Sequence, residues 1–286
     1  MNARIWFAVA VATLVIGAVA YTDLSEQPTG RVLWRADAES PAVQEWASLR
    51  AQPEGHGTCS DSSPAYYPTA RIARSSTVVA QGRYSYAITL AHGDRCYGER
   101  AELGQGNPDR AGFENRLFQP GDDRYISFQV YLARDFDVNA TGWRLIAQLH
   151  QQAGLGTPPL SLDVEAGRFV LYRSGNNSDS SDTVPLWSAP ASNGRWVRFT
   201  LHVKFSADPK QGLVELWGNP AGGPVVRLLG PTPTFTMKTD QSGRTVPDHA
   251  RIGIFRNEHA RFGTETAYYD GFTVATTRDA AEANAF

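Results

Sequence analysis

Along much of the chain apolar and polar side chains alternate one for one, which is the period of a strand and not of a helix. In Tyr125–Leu132, Ile126, Phe128, Val130 and Leu132 fall on one side, and Ser127, Gln129 and two tyrosines on the other. In Trp196–Phe205, Val197, Phe199, Leu201, Val203 and Phe205 oppose Arg198, Thr200, His202 and Lys204. The same pattern predicts strands at Arg31–Trp34, Ser76–Val79, Tyr84–Leu90, Trp143–His150, Arg168–Arg173, Leu213–Trp217, Arg251–Phe255 and Ala267–Ala275. Turn residues separate them, as in Pro120-Gly-Asp-Asp123 and Asn219-Pro-Ala-Gly-Gly223. Helical spacing is confined to short pieces such as Ala42–Arg50. Many strands with one apolar face each predict an all-β fold, a jelly-roll sandwich of two antiparallel sheets.

The first residues depart from this pattern. After Met1-Asn-Ala-Arg4 the chain is apolar from Ile5 to Ala20, closes on the small-x-small Ala18-Val19-Ala20 and turns polar at Tyr21. That is the pattern of a secretory signal peptide over 1–20, with an uncleaved anchor as the alternative. A linker over 21–30, one β domain over 31–277 and a C-terminal tail over 278–286 follow. Export predicts a secreted or periplasmic protein, with no stable membrane insertion unless the leader is retained; a monomer is expected. In such an oxidising compartment Cys59 and Cys96, the two cysteines of the chain, are expected to pair. Lysines and arginines number 27 against 29 acids, a net charge of −2, so no general basic field draws nucleic acid. An anionic ligand would have to be met by local arginines.

Three strands carry chemistry. Residues two apart on a strand share a face, so Arg100 and Glu102 point together, as do Gln148 and His150. Arg251, Gly253, Phe255 and Asn257 form a third set, opposite Ile252 and Ile254. If the three strands neighbour one another, arginine, glutamine and histidine converge on the outer surface of one sheet. Such a set suits β-elimination in a uronic acid. The C5 proton is weakly acidic beside an ionised carboxylate, and a guanidinium or amide that neutralises the carboxylate stabilises the enolate-like charge that develops. Arg100 and Gln148 fit that recognition, and His150 fits the base. A surface ion pair is the simpler reading of Arg100 and Glu102. A retaining hydrolase needs two carboxyl groups ~5–5.5 Å apart; Asp163-Val-Glu165 is an isolated pair, which disfavours that chemistry.

Arg100-Ala-Glu-Leu103, Gln148-Leu-His150 and Arg251-Ile-Gly-Ile-Phe-Arg256 resemble, in order and spacing, the signature strands of jelly-roll polysaccharide lyases. That group includes heparin lyase I-like proteins, glucuronan lyases and alginate lyases. Val32–Glu39 and Tyr268-Tyr-Asp-Gly-Phe272 resemble the paired terminal strands of these concanavalin A-like folds. The resemblance implies a lyase acting on acidic polysaccharide (glucuronan, alginate or a glycosaminoglycan), with Arg100 and Gln148 neutralising the carboxylate and His150 as base. Glu102, Arg251, Asn257 and Tyr172 complete the expected substrate-binding set. Two positions depart from the group: Arg251 stands where a lysine is usual, and Phe255 where a tyrosine commonly serves as acid. Phenylalanine has no proton to give. Either His150 itself or a tyrosine such as Tyr172 or Tyr268 supplies it, or the protein is a non-catalytic carbohydrate-binding protein on the same fold. No cofactor is required by this chemistry. Asp37, Glu39 and Asp270 are weak candidates for a structural calcium site, since oxygen ligands suit that ion.

Overall fold

The computed structural model describes residues 30–41, 45–51, 71–107, 112, 116–151, 155–175, 183–258 and 262–286. The strands are β1 (Val32–Ala36), β2 (Ser48–Ala51), β3 (Ile72–Ser75), β4 (Ser85–Leu90), β5 (Glu99–Gly104), β6 (Asp123–Leu132), β7 (Arg144–Gln151) and β8 (Leu160–Glu165). They continue with β9 (Arg168–Arg173), β10 (Val184–Pro190), β11 (Trp196–Lys204), β12 (Leu213–Gly218), β13 (Val226–Pro233), β14 (Asp248–Arg256) and β15 (Glu265–Ala275), and a helix α1 (Arg278–Ala285) closes the chain. One sheet runs β13-β12-β11-β6-β15-β4-β3, with β1 also on β15; the other runs β10-β9-β8-β7-β14-β5-β2. Their strand pairs are antiparallel, and the fold is the expected jelly-roll sandwich.

Alternation explains the core. Ile126, Phe128 and Val130 of β6 and Val197, Phe199 and Leu201 of β11 meet Leu103, Leu162, Phe169, Ile252 and Ile254 of the facing sheet, all nearly inaccessible. At one end Trp46 is buried, its ring 4.9 Å from Trp34, 5.8 Å from Tyr86 and 5.3 Å from Phe272. At another place the core is ionic. Arg144 and Arg256 share Glu265, and Arg256 Nε also donates to Glu99 at 2.6 Å. All four side chains are buried.

Two expectations need correction. Ala42–Arg50 is not one helix: among its described residues only Glu45 keeps a helical turn, while Leu49 and Arg50 pair with Leu103 and Glu102 as part of β2, because the edge of β5 offers ladder partners that a short helix would forgo. Ser76–Val79 is a turn following β3, where Ser75 Oγ accepts from the N–H groups of Thr77 and Val78. The C-terminal tail is helix α1, capped by the Thr277 hydroxyl. It docks on the first sheet, where buried Gln129 donates to the Ala285 carbonyl at 2.7 Å.

Candidate active site

Strands β7, β14 and β5 are adjacent, so the three chemistry-bearing segments form the middle of one sheet. Their register brings the side chains together. On the outer face Arg251 lies opposite Gln148, His249 opposite His150, and Phe255 opposite Arg100. Two irregularities set this alignment. Between the Ile252–Ala147 and Phe255–Leu145 pairs β14 has one residue more than β7, and β7 in turn gains one on β8 at the same level. The Tyr269 hydroxyl, reaching across from the other sheet, bonds there to the carbonyls of Ile146 and Gly253 at 2.9 and 2.8 Å. Bulges of this kind re-aim side chains next to functional sites. Gly253 has φ of 138°, and a Cβ on it would stand 2.2 Å from the Ala101 carbonyl oxygen, so only glycine lets β14 lie this close to β5.

Glu102 is buried and acts as the hub of the face. It accepts from Arg100 Nη1 at 3.2 Å and from Gln148 Nε2, which fixes the two groups expected to read a carboxylate. Its carboxylate is thus engaged by its neighbours on the sheet. The Gln148 Oε1 is buried with no hydrogen-bond partner among the described residues. Arg100 lies over Phe255, its guanidinium carbon 3.7 Å from the ring centre, and its Nη2 donates to the Tyr97 carbonyl at 2.6 Å.

His150 is half-buried, and its Nδ1 lies 2.7 Å from the Gln151 carbonyl. Only a protonated Nδ1 can donate there, which leaves the lone pair on Nε2. Burial, reinforced by the positive charge of Arg251, Arg100 and Arg50, holds its pKa well below the usual histidine range. The imidazole is therefore neutral at neutral pH, the form a general base requires.

His249 escaped the sequence reading, which began this strand at Arg251. It is buried, its ring centre is 6.1 Å from that of His150, and its Nε2 accepts from Arg251 Nε at 2.8 Å. Burial and then the Arg251 charge lower its pKa well below the usual range as well. The available signal was alternation: His249, Arg251, Gly253 and Phe255 continue one face two residues further upstream.

The remaining candidates divide. Tyr172 shares a cross-strand row with Ser161 and Gln148, but it stands two strands from Gln148. Its hydroxyl donates to Glu165 at 3.2 Å, and its pKa is pushed up to about 12, first by burial and then by Glu165. Asn257 lies just past β14, where its N–H continues the pairing to the Trp143 carbonyl at 3.2 Å. Tyr268 belongs to β15 of the opposite sheet, its ring 5.8 Å from Tyr131, so it is not on this face. Cys96 is buried, and Cys59 lies outside the described residues, as does the leader.

The calcium candidates have other partners. Asp270 accepts from the N–H groups of Ala80 and Gln81, Glu39 from those of Arg83 and Tyr84, and Asp37 pairs with Arg35. Among the described residues no group of three or more histidine, cysteine or acidic side chains could hold a metal ion.

A family model for polysaccharide lyases matches residues 43–273, and the chain belongs to that family. The protein is thus a polysaccharide lyase by family. Among solved structures it is similar to the endo-β-1,4-glucuronan lyase of the fungus Trichoderma reesei, at 17% identity and a TM-score of 0.62, covering 86% of this chain and 96% of that one. It is also similar to an alginate lyase of polysaccharide lyase family 7, at 11% identity and a TM-score of 0.52, covering 80% and 94%. The catalytic domain of a glycoside hydrolase family 131 protein from Coprinopsis cinerea shares the fold at 16% identity and a TM-score of 0.51, covering 86% and 94%. Among curated proteins none matches the chain.

Proposed function

We propose that the protein cleaves a uronic acid-containing polysaccharide by β-elimination on the outer face of β5, β14 and β7. The observation that carries this reading is the juxtaposition of neutral His150, its Nε2 free to accept, with Arg100, Gln148 and Arg251 on adjacent strands. The cations and the amide neutralise the uronate carboxylate, so that charge developing on it as the C5 proton leaves is met by groups already in place. Their burial raises the value of each such interaction. His150 Nε2 takes the C5 proton, the C4–C5 double bond forms, and the C4–oxygen bond breaks.

Tyr268 is on the other sheet and the Tyr172 hydroxyl is committed to Glu165, so the His150 imidazolium returns its proton to the departing oxygen. One group can do both only where the C5 hydrogen and C4 oxygen lie on the same side of the ring. Chains of glucuronate and mannuronate meet that condition; guluronate and galacturonate do not. His249 holds Arg251 by its Nε, and no cofactor enters these steps.

Export through the 1–20 leader and a Cys59–Cys96 bond belong to the same reading, supported by the leader's pattern and by the lack of a free cysteine among the described residues.

The test is ultraviolet absorbance from new unsaturated uronate ends. Purified protein incubated with polyglucuronate or polymannuronate raises it, polyguluronate and polygalacturonate do not, and His150→Ala abolishes the rise. Retention of a polymer in affinity electrophoresis without any absorbance would instead make this a binding face.

A further inference from the structure

Asp248 opens β14 and is buried, yet neither oxygen of its carboxyl group has a hydrogen-bond partner among the described residues. It shares the inner face of the strand with the core residues Ala250 and Ile252. Directly across the ladder stands Gln151 of β7, also buried, and its Oε1 has no partner among the described residues either. Opposite residues of an antiparallel pair have Cβ atoms ~4.5–5.5 Å apart. Three acceptor oxygens therefore meet in one place without a donor, and buried acceptors left so are costly.

A proton on Asp248 resolves the conflict. The neutral carboxyl group is a donor, and Gln151 Oε1 stands opposite it to accept. Burial, opposed by the positive charge of Lys238 and Arg251, holds the Asp248 pKa well above the usual carboxylate range. Gln151 and Phe118, its ladder partners, carry no charge, and His150 and His249 lie on the outer face of the sheet.

Two neighbours of this carboxyl group also hold residues 155–157, which lead into β8. Gln151 Nε2 donates to the carbonyls of Gly156 and Thr157 at 3.3 and 3.5 Å. Buried Lys238 donates to the Leu155 carbonyl at 3.2 Å and to the Thr157 hydroxyl at 3.4 Å. A buried carboxylate needs donors. It attracts the Lys238 ammonium strongly where water is excluded. It also turns the Gln151 amide so that Nε2 faces it and no longer reaches Gly156 and Thr157.

We infer that Asp248 is a proton-operated latch on residues 155–157. As the neutral acid it donates to Gln151 Oε1 and leaves both anchors on the segment; as the carboxylate it takes both and lets the segment go. The latch is closed at neutral pH and opens as pH rises. The Gln151 carbonyl accepts from His150 Nδ1 at 2.7 Å, so the latch adjoins the proposed base. It does not depend on the lyase reading, and its test uses no substrate.

The experiment follows the intact chain with Asp248→Asn and Lys238→Met from pH 6 to 10, after thermal melts have shown each to be folded. Carbon-13 NMR of the assigned Asp248 carboxyl group reads its charge. Subtilisin nicking within 155–157, read by mass spectrometry and normalised to a free peptide of that sequence, reads the segment. Asp248 should be neutral at pH 7, and nicking should rise about tenfold over the pH steps in which its signal moves to the carboxylate position. Tenfold is ~1.4 kcal/mol, the scale of a hydrogen bond to a charged group. Asp248→Asn still donates to Gln151 and cannot ionise, so its nicking should stay flat. Lys238→Met lacks one anchor and should be nicked about tenfold faster already at pH 7. An ionised Asp248 at pH 7, nicking that is flat in the wild type or rises equally in Asp248→Asn, or a Lys238→Met no more sensitive than the wild type would overturn the latch. Should Asp248→Asn not fold, the wild-type midpoints decide: agreement of signal and nicking supports the latch, and a gap of more than about one pH unit overturns it.

Discussion

Arg251 can rotate about its long side chain unless something holds it, and one group that does so is His249. Their bond joins Nε of the guanidinium to Nε2 of a buried neutral imidazole, so the nitrogens at the far end keep one orientation. Hydrogen bonds to charged groups contribute ~1.5–3 kcal/mol, so His249→Ala is expected to raise KM for the polymer about tenfold with a smaller change in kcat. His249→Asn restores an acceptor and should recover most of the loss. Equal KM values in steady-state assays of both variants and the wild type would rule out this positioning role. Arg100, Gln148, His150 and Arg251 were legible in the sequence as residue types on alternating positions. His249 was not singled out, because a histidine at the start of a strand carries no signal of its own until its partner across space is known.

Strands β5, β7, β14 and β15 are tied together by the buried Arg144–Glu265–Arg256–Glu99 cluster. Arg256 is one residue from Phe255 and points the opposite way, into the sandwich. The same strand therefore offers Arg251 to the outer face and Arg256 to the core. A buried charge that loses its partner costs ~3–5 kcal/mol. Glu265→Gln, which leaves Arg144 and Arg256 short of a counter-charge, is expected to lower stability by about that amount in urea unfolding. A loss within ~1 kcal/mol, the range of exposed pairs, would show that the cluster is not what holds these strands. Strand existence was readable here from alternation. The bulge between Ile252 and Phe255 was not, because it is held by the Tyr269 hydroxyl from the other sheet.

Several carboxyl groups across the molecule bind their proton more tightly in the folded chain than in the unfolded one. Burial raises Glu45 and Asp163 to about 7 and Asp270 to about 6, and lifts Asp248 well above its usual range. The stability that the protonated forms of Glu45, Asp163 and Asp270 contribute is complete below the ordinary carboxylate range near pH 4 and is lost as pH rises through about 6 to 7. His150 and His249, with lowered pKa, act oppositely: their contribution is present above pH 6.5 and is lost on acidification through their folded values. Stability should therefore peak in mildly acidic solution. Asp163 lies on β8 with Oδ1 buried and without a hydrogen-bond partner among the described residues. Asp163→Asn should flatten the decline between pH 6 and 8 by about 1 kcal/mol. Denaturant unfolding at pH 5, 6, 7 and 8 measures this, and an identical pH slope in wild type and variant would refute it.

Alternation along the chain by itself determined the all-β class, the two-sheet sandwich and the face on which Arg100, Glu102, Gln148, His150 and Arg251 each lie, because side-chain direction in a strand follows from local geometry alone. Tertiary structure decided the rest. Strand order placed β7, β14 and β5 side by side and sent Tyr268 to the opposite sheet. Register and bulges set Arg251 opposite Gln148, brought His249 to His150, and laid Arg100 over Phe255. These are contacts between residues distant in sequence, fixed by packing and by the pairing of buried polar groups, and no local pattern encodes them.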